Sequence, residues 1–283
     1  MTVDKPEVTC QYEVTMIKFI TRCIMIIRKL IHITIYLIIY HRKTVKKLES
    51  YGLRDIKIYH FRVWLWWQWR KAATESNTKR YYYKANYNNK TCFVKLAKND
   101  YAIKNEIFMC KYLTRSGIGF VPEYLLSDED YDKYTSLLVT GFISDMRLFT
   151  LPADEKTFES ICGEFEQILY CFTQHNVFHG DISASNVLMD SENHITIIDF
   201  ALGSAPGSEV YKLKNPRGIN YRLSGNVCTY DNAYSFIKLL DDCGIGGAYK
   251  NKDCYKSIER LIGAHTRSVT VQSQYYHRRG EKN

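Results

Sequence analysis

The chain has 283 residues, enough for one or two domains, and an apolar fraction of 46% that is ample for a packed core. Its net charge of +9 favours an anionic partner such as a nucleotide, a lipid headgroup or an acidic glycan. Nine cysteines form no CxxC pair and several sit inside apolar runs, which argues against a disulfide scaffold or a zinc site and for a reducing cytosol.

Residues 1–15 are polar. Met16 to Tyr40 is strongly apolar but is interrupted by Lys18, Arg22, Arg28, Lys29 and His32. The longest unbroken run, Ile33 to Tyr40, is too short for a bilayer, which takes roughly 20 residues. At helical spacing Lys18, Arg22, Lys29, His32, Tyr36, Tyr40, Lys43 and Lys47 share one stripe about 80° wide. Such a basic and aromatic stripe suits a helix lying in a membrane interface. It equally suits a helix packed on a core with its charges in water. A signal segment is a third reading, but no small-residue cleavage site follows. All four tryptophans lie in Phe61 to Arg70, a cluster at home at headgroup depth, in a core or in a partner interface. Thr74 to Asn77 reads as a linker.

Arg80–Ala85 and Thr91–Leu96 read as two strands joined by a turn over Asn86–Asn89. Asp100 to Leu113 reads as a helix, with Ile103, Ile107, Cys110 and Leu113 on one face and Asn99 or Asp100 as the cap. Glu106 lies at its centre. After a turn over Gly117–Pro122, the β-branched stretch Tyr134–Phe142 reads as a strand leading into Ile143-Ser144-Asp145. Glu155 to His175 is a helix by its spacing of Phe158, Ile161, Phe165, Ile168, Leu169 and Phe172.

The densest chemistry lies between His175 and Gly203. His179-Gly180-Asp181 is followed five residues after the Asp by Asn186, and eighteen residues after it by Asp199-Phe200-Ala201. Val187–Met189 and Ile195–Ile198, with Ser-Glu-Asn between them, form an expected hairpin that brings Asn186 and Asp199 together beside Asp181. An Asp can orient an acceptor hydroxyl and take its proton. An Asn and a second Asp are hard oxygen ligands for Mg²⁺ on ATP phosphates. Further on, Lys212 to Arg222 is a basic loop. Asp231 opens a helix at Asp231-Asn-Ala-Tyr-Ser-Phe236 and is a natural N-cap. Residues 250–265 hold one more short helix, and a tail begins at Thr266.

The pattern HxD-x4-N followed by Asp-Phe resembles the catalytic and metal-binding loops of the protein-kinase-like superfamily. The resemblance covers roughly residues 79–262. It implies an α+β, two-lobed fold, with a small β-rich lobe over 79–143 and a mainly helical lobe over 144–265; the basic, apolar and Trp-rich residues 1–78 read as an N-terminal helical extension and residues 266–283 as a basic tail. By position it implies Asp181 as catalytic base, Asn186 and Asp199 as metal ligands and Lys95 as the phosphate-holding strand lysine. Glu106 would orient Lys95, His179 would pack under the catalytic loop, and Asp231 would bond that loop's backbone. Gly180 stands where most protein kinases have Arg, and Ala201 where the usual triplet has Gly. There is no glycine-rich loop before Val94-Lys95, and no Ala-Pro-Glu triplet ends an activation segment.

Within the superfamily the chain looks most like bacterial lipopolysaccharide-core and Kdo-type sugar kinases, with RIO- and Bud-type atypical kinases next. The expectation is therefore an ATP- and Mg²⁺-dependent phosphotransferase. Its acceptor would be a glycolipid or polysaccharide sugar hydroxyl, and it would be cytoplasmic and peripheral on the inner face of the cytoplasmic membrane. The alternatives are an atypical protein Ser/Thr kinase and a pseudokinase scaffold. A nucleic-acid partner is not expected, because no reader motif accompanies the charge.

Overall fold

A computed structural model describes residues 20, 21, 23, 24, 26–28, 31, 41–59, 79–98, 100, 102–132, 135–144, 147–149, 154–208, 221–224, 227–243 and 248–270. The tryptophan cluster, the linker, most of the Met16–Tyr40 stripe, residues 212–220 of the basic loop and residues 271–283 of the tail lie outside this set. The fold is a mixed α+β one, and the chain divides into two compact units, Met1–Lys95 and Leu96–Asn283.

In the first unit the described residues between 20 and 31 are helical. Helix α1 (His41–Ser50) follows, then β1 (Arg54–Ile58), β2 (Lys79–Tyr87) and β3 (Lys90–Lys98), whose last three residues fall in the second unit. β1 pairs antiparallel with β2, placing Ile58 opposite Tyr83. β2 and β3 are the two expected strands. Asn88 and Asn89 turn between them at φ 49° and 63°, the left-handed geometry that a two-residue hairpin loop requires and asparagine tolerates. Leu48, Leu53, Tyr83, Ala85, Cys92 and Val94 are buried, and His41 stacks on Tyr83 with ring centroids 5.9 Å apart. β1 has no counterpart in the sequence reading: a five-residue Arg-Asp-Ile-Lys-Ile strand is too short and too charged to stand out.

The second unit opens with α2 (Ala102–Arg115), where the Asp100 side chain accepts from the Ala102 N–H at 3.3 Å and so serves as cap. β4 (Tyr124–Asp132) pairs antiparallel with β5 (Thr135–Gly141). β5 is the expected strand. β4 was not expected, because its Ser-Asp-Glu-Asp run is poor in strand formers; Glu129, Asp130 and Asp132 point to solvent.

After β6 (Arg147–Leu148) comes α3 (Glu155–Gln174). It starts where Asp154 accepts from the Thr157 N–H at 2.8 Å and from the Thr157 hydroxyl at 2.9 Å. The short strands β7 (Val187–Met189) and β8 (Ile195–Ile197) form the expected hairpin, with Val187 opposite Ile197. A 3₁₀ turn over Phe200–Leu202, strands β9 (Tyr221–Ser224) and β10 (Val227–Asp231), helices α4 (Asn232–Asp242) and α5 (Asp253–Arg260) and strand β11 (Thr266–Thr270) complete the described elements. β11 pairs antiparallel with β10, so the first five residues of the expected tail are ordered sheet.

The core of this unit is built on α3. Phe158, Ile161, Phe165, Ile168 and Phe172 are fully buried among Phe236 and Leu240 of α4, Tyr255 and Ile258 of α5, and Val187 and Ile197 of the hairpin. Phe165 stacks on Phe236 at 4.1 Å. Each such ring contributes about 2–3 kcal/mol by leaving water. The result is a rigid floor beneath the loops on either side of the β7–β8 hairpin.

Candidate active site

The segments Val177–Asn186 and Ile197–Ser204 flank the hairpin and are laced together by backbone. The Phe178 N–H donates to the Ser204 carbonyl at 2.8 Å, and the Ser204 N–H donates back to Phe178 at 2.7 Å. The Ile198 N–H donates to the Asn186 carbonyl at 2.9 Å. Asp181, Asn186 and Asp199, distant in sequence, are thereby brought to one place.

His179 sits under this lacing and is fully buried. Its Nδ1 accepts from the Asp181 N–H at 3.1 Å, so the ring proton is on Nε2, which donates to the Ile198 carbonyl at 2.9 Å. Its ring meets Phe200 edge-on at 4.4 Å. Burial pushes its pKa down to about 4, against the opposing pull of the Ile198 carbonyl and the Asp199 charge. A neutral His179 ties the first acidic loop to the residue preceding the second.

Asn186 directs its amide N–H groups at Asp181, donating to the backbone carbonyl at 2.8 Å and to Oδ2 at 3.2 Å. Asp181 is held with its pKa raised to about 6, chiefly by burial, then by the negative charge of Asp199, with the Asn186 bond opposing.

Asp199 has left-handed backbone angles, φ 64° and ψ 64°, which cost an L-residue about 1–3 kcal/mol unless its surroundings impose them. The 3₁₀ turn begins at the next residue. Ala201 lies inside that turn and is not among the residues with positive φ, so its backbone has no need of glycine. Gly180, by contrast, has φ +76°, and a β-carbon there would lie 2.4 Å from the Leu202 carbonyl oxygen. No arginine fits at this position.

The donor chemistry suits a hard divalent cation: one carboxylate from Asp199, and the Asn186 Oδ1, which accepts only a long 3.5 Å bond from the Ser185 hydroxyl while the amide N–H groups are spent on Asp181. Among the described residues no group of three or more His, Cys, Asp or Glu side chains could hold a metal ion. Mg²⁺ commonly takes only one or two protein oxygens, with phosphates and water completing its shell.

Asp231 caps α4 by accepting from the Tyr234 N–H at 3.0 Å, and its other oxygen accepts from the Gly263 N–H at 2.7 Å. Its neighbour grips the first loop. Asn232 donates to the Val177 carbonyl at 2.8 Å and accepts from the His179 N–H at 3.1 Å. A second asparagine, Asn105 of α2, donates to the carbonyls of Ala201 and Gly203. Sequence reading missed both. Their only signal is a short polar side chain on or next to the buried face of a helix, which names no partner. Glu164 is also structural, accepting from the Ile195 N–H at 3.0 Å.

Lys95 lies on β3 of the first unit and Glu106 on α2 of the second. Each is buried, with 4% and 6% of its surface exposed. Charged residues buried to this degree are almost always partnered.

Two interlaced acidic loops, with Asn186 reaching back to the Asp181 carboxylate, thus form the candidate active site on an α+β fold. The sequence model of the RIO domain matches residues 56–203, just over half of the chain, and the chain belongs to the RIO-domain family. It is also 32% identical over 108 residues to CBL-interacting serine/threonine-protein kinase 1 of Arabidopsis thaliana, across 37% of this chain and 23% of that protein. The chain thus matches under a quarter of that relative's length.

Proposed function

We propose that this protein is an ATP-dependent atypical kinase that transfers phosphate to a protein serine or threonine hydroxyl. The observation that carries the reading is the Asp181–Asn186–Asp199 constellation, held by backbone lacing and carried on a RIO domain. At neutral pH an Asp181 with a pKa of about 6 is mostly ionised and can take the proton of an incoming hydroxyl. Asn186 fixes the Asp181 carboxylate in orientation. Asn186 Oδ1 and Asp199 would hold Mg²⁺, which when bound neutralises charge on the transferring phosphates. The phosphate-holding role given to Lys95 rests on the sequence pattern and on its burial, and Glu106 is likewise buried.

The protein acceptor is preferred over a sugar hydroxyl because a relative of this RIO-domain chain is named a serine/threonine-protein kinase. The glycolipid acceptor stands as a second reading on one observation. Ile20, Ile24, Ile27 and Ile31, spaced to share one helical face, are each about half exposed in a segment rich in Lys and Arg. Among the described residues no helix is long and apolar enough to cross a membrane, so any bilayer contact of this face would be peripheral.

The deciding experiment follows Mg²⁺-dependent phosphate transfer from labelled ATP by wild type and Asp181→Asn, offered a Ser/Thr-rich protein mixture or a glycolipid extract. Label on protein, lost in the variant, supports the first reading. Label on lipid alone supports the second. ATP bound without transfer to either would leave a nucleotide-binding scaffold.

A further inference from the structure

We propose that Asn105 is a positioning residue for the metal-binding Asp199, an inference that rests on the kinase reading above. Asn105 lies on α2, one residue before Glu106, and is 5% exposed. Its amide nitrogen donates to the Ala201 carbonyl at 3.1 Å and to the Gly203 carbonyl at 2.8 Å. Both partners are acceptors only, so the NH₂ end must face them and the amide orientation is fixed by the chemistry. The carbonyl between them, on Leu202, lies against Gly180 of the first acidic loop. Ala201 and Gly203 are thus held by α2, and the Leu202 carbonyl between them abuts the Asp181 loop.

The clamp bears on Asp199 through the backbone. Asp199 is in the left-handed region, and the 3₁₀ turn begins at the next residue. A left-handed residue keeps its angles only where its neighbours leave it no other course. With the clamp gone, two buried carbonyls lose their donors and the turn has reason to rearrange, carrying the Asp199 carboxylate away from Asn186. Residues that orient metal ligands in this indirect way typically change metal affinity by about 10–100-fold when removed. The bonds also tie α2, which carries Glu106, to the loop that carries Asp199, so displacement of either is felt by the other.

The test uses the full chain and Mn²⁺ as the probe, with a non-hydrolysable ATP analogue. Affinity for the analogue is measured with and without Mn²⁺, and bound Mn²⁺ is counted by its paramagnetic signal. Asn105→Leu keeps the volume and removes both donors. Asp199→Asn is the control for loss of the ligand itself. The expected result is Mn²⁺ affinity weakened about ten-fold or more in Asn105→Leu, with affinity for the metal-free analogue within about two-fold of wild type. Asn105→Ser, which retains one donor, falls between and decides the matter if the Leu variant does not fold. Equal loss of metal-bound and metal-free affinity would show a purely structural residue and overturn the proposal. So would wild-type Mn²⁺ affinity in the Asn105 variants alongside its loss in Asp199→Asn. If the wild type itself binds no Mn²⁺–nucleotide, the kinase reading fails and takes this proposal with it.

Discussion

Gly180 and Leu202 meet backbone to backbone, leaving 2.4 Å between the carbonyl oxygen of one and the place a β-carbon would take on the other. This contact joins the Asp181 loop to the turn after Asp199. Gly180→Ala should destabilise the fold on two counts, the left-handed φ of +76° and the collision. The expected loss is on the order of 3–5 kcal/mol. Gly117→Ala separates the two, because Gly117 has φ +69° and nothing within 4 Å of its would-be β-carbon. That control should lose only about 1–2 kcal/mol. Urea unfolding of both variants measures the difference, and equal losses would mean that the contact with Leu202 carries no weight.

Asn232 fastens the same loop from the α4 side, through one donated and one accepted bond. Asn232→Ala leaves a buried carbonyl and a buried N–H unpaired, for a loss on the order of 2–4 kcal/mol. Asn232→Asp is nearly identical in shape. It keeps the acceptor for the His179 N–H but turns an oxygen towards the Val177 carbonyl. It should therefore be at least as damaging as alanine in thermal and urea melts. A near-neutral Asp variant would show that the donated bond does not matter.

What was legible in the sequence was periodic or locally spaced. α3 announced itself by its aromatic spacing, α2 by its apolar face, and β2, β3 and the β7–β8 hairpin by short apolar or aromatic runs around Asn-rich turns. The fixed spacing of Asp181, Asn186 and Asp199 showed which residues would meet. What the sequence withheld was held by contacts that leave no local trace. β1 and β4 are charged strands that exist because a neighbour pairs with them. Strand β11 looked like a tail because its partner, β10, lies some 40 residues earlier. The clamping asparagines 105 and 232 bond residues 96 and 55 positions away, and spacing along one element cannot reveal that.

Ala201 invites a reversion to the glycine of the familiar triplet. Its position in a 3₁₀ turn without positive φ gives glycine nothing to relieve, and its methyl group is largely buried. Ala201→Gly should cost about 0.5–1 kcal/mol in backbone freedom. Any ATP turnover should not rise, and the melting temperature should drop by a few degrees at most. Turnover assays at saturating Mg²⁺ alongside a melt check both, and a clear gain in rate would show that the methyl group obstructs the site.

His179 and Asp181, two residues apart, make opposite contributions to stability on acidification. In the folded, metal-free protein burial lowers His179 from 6.5 to about 4. Between those values the unfolded chain takes up a proton that the folded one refuses, so stability falls as pH drops. Burial and the Asp199 charge raise Asp181 from 3.8 to about 6. There the folded protein keeps a proton that the unfolded chain has lost. That contribution is fully present below pH 3.8 and is lost as pH rises through about 6. From about pH 4 to 6 the two nearly cancel. Asp181→Asn removes the second and leaves the first. Relative to wild type, the variant should therefore lose stability on acidification through this window, by up to about 1.4 kcal/mol per pH unit. Urea unfolding of both proteins at pH 4.5, 5.5 and 6.5 with a chelator present reads the difference. Parallel stability curves would show that the Asp181 carboxyl is not raised in the folded state. They would also remove the argument that it is a base tuned to neutral pH.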